Sequence, residues 1–362
     1  MNNTVIEARS FMILVAFFTV GTSILIAPSG LAHDAKQDAW LASLIGIAMD
    51  VLLVWLYITL AERYPDRSIV EYCELALGKW IGKALALAFI CFCFLLASLL
   101  IGDMGFFLTS QIMTDTPIEA SELLFAAAVI FTVRAGLATY AMAAELFYAG
   151  MIVLFLTIFL PSVPEFQAAH VLPALERGIM PSVKGGFTFM TLQELVIMLM
   201  FYPHVVKGTG RKRSFLAGAL IGSAILQLTT TAIILVIGAP VTGNQLFPAY
   251  YIAKHISIGE FFQRLEVGMM LLWVLSIFMK LTLTFHASVK GMAQLLRLRD
   301  ERPFLWPLAA VMIALSLACY PNIIYAREMI ARTWAPLSIL FMVALPLLLL
   351  AGSFVRGRRT RV

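Results

Sequence analysis

Ten long apolar stretches run through this chain of 362 residues, and no fold in water could bury that many of them. A helix of about 20 mostly apolar residues crosses the hydrocarbon core of a bilayer. The stretches lie at Ser10–Pro28, Trp40–Leu60, Ile81–Gln111, Ser121–Val133, Thr139–Leu160, Phe187–Pro203, Phe215–Gly238, Leu265–Ser288, Phe304–Tyr320 and Trp334–Phe354. The third is long enough to lie strongly tilted, and the short fourth either spans alone or forms one broken feature with the fifth. Apolar residues make up 61% of the chain and charged residues 13%, about half the charged share of a soluble domain. The expected fold is all-α: a single integral-membrane domain over residues 1–362 with ten transmembrane helices.

Basic residues test the count. With the N-terminus inside, and Lys83 counted at the cytoplasmic edge of the third stretch, 18 Lys and Arg fall in cytoplasmic segments and 7 in outer ones, while Lys280 alone lies deep within a span. That asymmetry follows the positive-inside rule and places both termini in the cytoplasm. The first apolar run, preceded by Glu7 and Arg9, is expected to be an uncleaved helix rather than a signal peptide. The net charge of +5 is spread over loops at one face with no stacking platform, so nucleic acid is not a partner; the tail Arg356–Arg361 suits anionic headgroups. Cys73, Cys91, Cys93 and Cys319 lack disulfide or zinc spacing, and the five histidines do not cluster. Without a His-Glu-x-x-His motif, a nucleotide-binding glycine loop or paired catalytic carboxylates, neither an enzyme nor a cofactor or metal site is expected.

Two loops carry local structure. Ser68-Ile69-Val70-Glu71 has the form of a capping box. It opens a short amphipathic helix, expected on the cytoplasmic surface, with Ile69, Tyr72, Cys73, Ala76 and Trp80 near one face. On the outer side Tyr250–Phe262 reads as a helix over the mouth of the bundle.

A membrane helix can break only where protein or a wet cavity receives the freed backbone groups. The first span contains Thr19-Val20-Gly21-Thr22-Ser23. Either these small residues form a close helix–helix seam, or the chain unwinds and its free amides receive an anionic group such as a carboxylate. The sixth span opens Gly185-Gly186-Phe187-Thr188-Phe189-Met190-Thr191-Leu192-Gln193-Glu194, polar in its first half but without a Gly-x-Gly, so unwinding is less assured there.

Charges in the spans are the second signal, because each costs several kcal/mol at the bilayer centre unless paired or hydrated. Asp50, Asp103 and Arg134 lie near span ends, where they are expected to reach water. Glu145 is expected to pair with Arg134, and His204 and His286 to be interfacial. Glu194 and Lys280 fall near mid-membrane; they form either a neutralising pair between helices or a functional site that binds a ligand or relays a proton.

Several motifs resemble the B-subunit family of spore germinant receptors. They are Gly21-Thr22-Ser23-Ile24-Leu25, Ala35-Lys36-Gln37-Asp38-Ala39-Trp40, Tyr64-Pro65-Asp66, Leu77-Gly78-Lys79-Trp80-Ile81-Gly82-Lys83 and the run from Trp273 to Lys280. The resemblance implies a bundle like that of the amino acid–polyamine–organocation transporters. Such a bundle is two inverted five-helix repeats, here about 10–160 and 187–354, with a ligand pocket between spans one, three, six and eight. It further implies recognition of a small nutrient, often an amino acid, and assembly with an A-subunit and a lipoprotein C-subunit in the spore's inner membrane.

Carried onto this chain, the resemblance gives the amides of Gly21, Thr22, Ser23 and Ile24 to a germinant carboxylate. Ser98 and Ile101 would line one wall, and Thr191, Glu194 and Met198, at helical spacing, the other. Lys280 and Thr284 would face the first span, with the Lys280 ammonium standing where sodium-coupled relatives hold a cation. An amino-acid or proton-coupled transporter, with Glu194 as proton carrier, is the alternative function.

Overall fold

In hydrocarbon the backbone has no partner but itself, and apolar runs of this length therefore close into helices. The computed structural model describes residues 5–255, 265–319 and 330–357, which are helical apart from turns, loops and one isolated β-bridge between Ile6 and Val205. The helices are α1 (Ala8–Val20), α2 (Ser23–Ala35), α3 (Ala39–Ala61), α4 (Ile69–Leu77), α5 (Lys79–Gln111), α6 (Ile118–Ala135) and α7 (Leu137–Ser162). They continue with α8 (Met180–Met190), α9 (Thr209–Asn244), α10 (Pro248–His255), α11 (Leu265–Leu295), α12 (Leu305–Cys319), α13 (Ala335–Ile339) and α14 (Leu345–Gly357). Single π-helical turns, Ile330–Trp334 and Leu340–Ala344, flank α13.

Among the described residues eight helical stretches are long and apolar enough to cross a membrane, against ten expected from the sequence. The difference lies at segments one and four. The first segment is divided at Gly21, so that α1 has 13 residues while α2 runs on into α3 as Ser23–Ala61. The fourth, α6, has 18 residues but carries Glu119, Glu122 and Arg134.

Small residues set the closest contacts, as they do wherever membrane helices approach one another. A Cβ on Gly218 of α9 would stand 2.3 Å from the Met12 carbonyl of α1, and one on Gly222 would stand 2.5 Å from Thr19 Cβ. Gly186 of α8 and Gly46 of α3 bring those two backbones together in the same way. These seams wrap α1, α3, α8, α9 and α11 around a common interior. Within α9, Gly238 adopts φ 71° just before Pro240, and the nearby Leu235 carbonyl accepts Gln167 N–H (3.0 Å) and bonds His170 Nδ1 (2.9 Å).

Two expectations change here. The Ser68 capping box forms, but α4 packs Ile69, Tyr72 and Cys73 into the bundle instead of lying on the surface; of the expected face only Trp80, on α5, is exposed. Glu145 does not pair with Arg134: it accepts Ser10 Oγ–H at 2.6 Å, while Arg134 is exposed at the end of α6. A hydroxyl on α1 lay within reach, and an arginine at a helix end keeps its hydration more cheaply than it enters the bundle. The expected outer helix exists in part as α10, and residues 256–262 lie outside the described residues, as does most of the Arg356–Arg361 tail.

Candidate functional site

The first break begins at Gly21, where φ 23°, ψ −121° departs from any helical geometry. Its N–H still closes the last turn of α1 on Phe17 O (2.8 Å), and its carbonyl accepts Ser276 Oγ–H of α11 at 3.2 Å. The Thr22 N–H has no hydrogen-bond partner among the described residues, and the first turn of α2 leaves its leading amides without intrahelical acceptors. Of the two readings of this stretch, the chain takes the unwound one. It is packed as well: a Cβ on Gly21 would meet Lys280 Cδ at 2.3 Å.

The second break is in the sixth segment and needs no glycine. α8 ends at Met190, Thr191 to Gln193 form tight turns, and Glu194 adopts the left-handed conformation (φ 29°, ψ 35°) before a 3-10 turn over Leu195–Met200. The polar residues Thr191, Gln193 and Glu194 are buried here. Because the segment is not an α-helix between 191 and 198, the three- and four-residue spacing of Thr191, Glu194 and Met198 does not put them on one helical face. All three are nonetheless buried.

Lys280 joins the two breaks. Its Nζ lies 2.8 Å from Glu194 Oε2, donates to the freed Leu192 carbonyl at 3.0 Å, and sits 5.2 Å from the centre of the Phe18 ring. Trp334 Nε1 donates to the other Glu194 oxygen at 3.0 Å, and its ring stacks on Phe92 of α5 (5.5 Å). Gln193 Nε2 reaches Ser23 Oγ across the breaks at 3.4 Å, while Gln193 Oε1 is buried without a hydrogen-bond partner. Glu194 and Lys280 therefore do form the neutralising pair expected as one reading, one member from the broken sixth segment and the other from the continuous α11.

The hydroxyls of two remaining expected residues are spent within their own helices. Ser98 Oγ donates to Phe94 O (3.0 Å) and Thr284 Oγ1 to Lys280 O (2.8 Å), each one turn back in its own helix; Ile101 and Met198 are fully buried. An apolar cavity of about 40 Å³ lies beside the first break, and of the expected residues only Ile24 lines it, with Phe155, Ile233, Met269 and Leu272. Two charges depart from expectation. Asp50 does not reach water but is 3% exposed, with Oδ2 unpartnered, near enough to feel the charges of Glu194 and Lys280. His286 is buried rather than interfacial, bonded to Tyr140 (2.8 Å) and Glu301 (3.0 Å).

Sequence reasoning did not find Ser276, Trp334 or Phe18 as members of this centre. Ser276 stands one turn before Lys280, a spacing that could have shown it. Trp334 comes from a segment 140 residues away from Glu194, and no local pattern marks it.

Hydrogen bonds and ion pairs tie the chain together at both ends of the bundle. At the basic end Ile6 N–H donates to His204 O (2.8 Å), Val206 N–H returns to Ile6 O (3.0 Å), and Lys290 Nζ contacts His204 Nε2. Tyr202 O–H donates to Glu62 (2.6 Å), which also pairs with Lys212 (3.0 Å). Burial pushes the Glu62 carboxyl up, but the Tyr202 and Lys212 hydrogen bonds and the Lys212 and Arg211 charges outweigh it and hold it below the ordinary carboxylate range. Glu301 sits low for the same kind of reason: burial opposes, and the His286 hydrogen bond and nearby cationic charge prevail. At the other end Asp38 accepts Leu175 N–H (2.9 Å), and Lys184 pairs with Asp34 (3.0 Å).

The fold as a whole has counterparts among solved proteins. The chain superposes on MhsT, solved in complex with L-phenylalanine, with a TM-score of 0.71 over 97% of this chain and 99% of that one, at 14% identity. Mhp1, a nucleobase-cation-symport-1 family transporter in a closed conformation, gives 0.67 over 94% and 78%, at 11% identity. These likenesses show a fold related to that of membrane transporters, with no enzyme among the structural relatives named. In sequence, spore germination protein KB of Bacillus subtilis (strain 168) is 28% identical over 327 residues, 89% of this chain and 87% of that protein. Spore germination protein A2 of the same organism is 23% identical over 77% of each. The spore germination protein family matches residues 5–324, and with that match over most of its length the chain belongs to this family.

Proposed function

We propose that this chain is a membrane subunit of a spore nutrient receptor that takes an amino acid, or a molecule of that class, at the junction of its two broken segments. The observation that carries the reading is the Glu194–Lys280 pair, 2.8 Å long, set between unsatisfied backbone at Thr22 and freed carbonyl at Leu192. A zwitterion matches that arrangement: its carboxylate suits Lys280 and the leading amides of α2, and its ammonium suits Glu194. Exchange of one internal pair for two ligand pairs keeps the low-dielectric interior neutral. The site is closed, so the ligand enters only as the pair separates. The ligand then shifts the equilibrium between closed and open bundles by its differential affinity for them.

In this reading Thr22, Ser23 and Ile24 hold the carboxylate beside Gly21, whose own N–H stays in the last turn of α1; Ser98 and Ile101 form one wall, and Thr191, Glu194 and Met198 another, with Lys280 and Thr284 facing the first span. The architecture is ten spans in two inverted repeats, and the partners are an A-subunit and a lipoprotein C-subunit in the inner membrane of the spore, with both termini cytoplasmic. Lys280 takes the place of a cation, so binding is expected to be the same in sodium and in potassium buffer; a sodium requirement would reject that role.

The fold likeness to transporters favours a second reading, in which the same pocket alternates and carries its ligand, with Glu194 accepting a proton. Reconstituted vesicles separate the two. Uptake of radiolabelled amino acid against its gradient supports transport; saturable binding without uptake supports sensing. Neither binding nor uptake, tested across the common amino acids, would remove both.

A further inference from the structure

We propose that the crevice between α3 and α9 at the basic end of the bundle binds the headgroup of an anionic phospholipid. The crevice has a volume of about 560 Å³ and two kinds of wall. Trp55, Ile58 and Leu216 lie in the membrane-crossing parts of the two helices, and Trp55 is 68% exposed. Arg63, Lys212 and Arg213 stand just beyond or at the ends of those stretches, all exposed.

Two of the three cations on this rim have no carboxylate partner among the described residues. Lys212 is engaged by Glu62, the acid that Tyr202 and Arg211 also approach. Arg63 meets no carboxylate among the described residues: it donates to Ser353 Oγ (3.0 Å), with its guanidinium 3.6 Å from the centre of the Phe354 ring. Arg213 has no ion-pair partner among the described residues. Three other cations at this end are paired, Lys207 with Asp66 (2.7 Å), Arg67 with Glu71 (2.9 Å) and Arg297 with Glu74 (2.7 Å), while Arg9, Lys79 and Lys83 have no ion-pair partner among the described residues and do not line the crevice. What sets the crevice apart is two guanidiniums beside an already neutralised acid and an apolar wall.

An anionic phospholipid satisfies both walls at once. Its phosphate oxygens accept hydrogen bonds from the arginines in the forked geometry that guanidinium provides. Its acyl chain covers Trp55, Ile58 and Leu216, which an inorganic anion in water would leave bare. Attraction of a polybasic site to anionic lipid is expected at about 1 kcal/mol per basic residue, or about fivefold in affinity for each.

The test uses the full chain purified in a neutral detergent, with thermal unfolding followed as lipid is titrated. Phosphatidylglycerol should raise the melting temperature at concentrations where phosphatidylcholine does not. The Arg63→Gln/Arg213→Gln variant should lose that response, with the half-effective lipid concentration raised tenfold or more, while melting as the wild type does in phosphatidylcholine. Should the double variant melt early without lipid, Arg213→Gln alone, which breaks no contact among the described residues, serves with an expected shift of about fivefold. Lys79→Gln, at the exposed start of α5, should respond like the wild type. An unchanged response in the arginine variants, or an equal loss in Lys79→Gln, would overturn the site. Stabilisation by inorganic phosphate as strong as that by phosphatidylglycerol would show a soluble-anion site instead and equally defeat the lipid assignment.

Discussion

The two breaks in the bundle are made by different means. At Gly21 the interruption is written into the backbone: a residue without Cβ takes φ 23° at little cost, and the space a side chain would need is filled by Lys280. At Glu194 a residue with a side chain takes φ 29°, a conformation that costs about 1–2 kcal/mol outside glycine. What holds it is distant: Lys280 on α11 at 2.8 Å and Trp334 at 3.0 Å. One break is local and the other depends on its partners. The lesson is that a buried ion pair can stand in for a glycine in ending a membrane helix.

The comparison can be broken most forcefully at Lys280. Lys280→Met leaves Glu194 buried and uncompensated, and should destabilise the protein by about 3–5 kcal/mol. Lys280→Met with Glu194→Gln should recover much of that loss. Thermal unfolding in detergent reads both; equal stability of the single and double variants would mean that the pair does not hold the second break. Gly21→Leu should cost about 3 kcal/mol, since its Cβ would collide with Lys280 Cδ at a backbone angle that leucine resists. It should also abolish amino-acid binding, measured by equilibrium dialysis, and undiminished affinity would move the site elsewhere.

Trp334→Phe keeps a ring against Phe92 but removes the donor to Glu194, at an expected cost of about 2 kcal/mol. That loss should shrink to about 1 kcal/mol when Glu194 is already glutamine-substituted in the Lys280→Met background, because the amide oxygen still accepts the bond without the charge, and the double-mutant cycle reads the difference. The smallest effect belongs to the basic end. Glu62 and Glu301 are held below their ordinary range, so their contribution is present above the unfolded-state value near about 4.3 and is lost as pH falls through the folded one. Melting temperature should therefore fall with acidification below about pH 4.5. Glu62→Gln should flatten the slope, and an unaltered slope would place the acid sensitivity elsewhere.

Much of the centre was legible because intramembrane charge is costly. Glu194 and Lys280 stood out on that ground alone, and so did the Gly21 stretch, where polar and small residues interrupt an apolar run. Asp50 was misjudged because it stands at the middle of the Trp40–Leu60 stretch rather than near an end, so water was never within reach along its own helix. Glu145 was misjudged because proximity in sequence to Arg134 outweighed an unseen hydroxyl, Ser10, 135 residues away. The unwinding at Glu194 could not be settled in advance, since its cause lies on two other segments.

The amino-acid sequence by itself determined that this chain lives in a bilayer as a helical bundle, because runs of apolar side chains leave neither water nor an open sheet as a place to fold. It also marked the Gly21 stretch as the place where the first helix could part, leaving a close seam and an unwound turn as the two readings between which the structure chose. Only the tertiary structure decided the second break, the burial of Asp50 and His286, and the meeting of Lys280, Glu194 and Trp334. The physical reason is that a charge in a low-dielectric interior is governed by whichever partner the packing brings within about 3 Å, and sequence distance does not limit that choice.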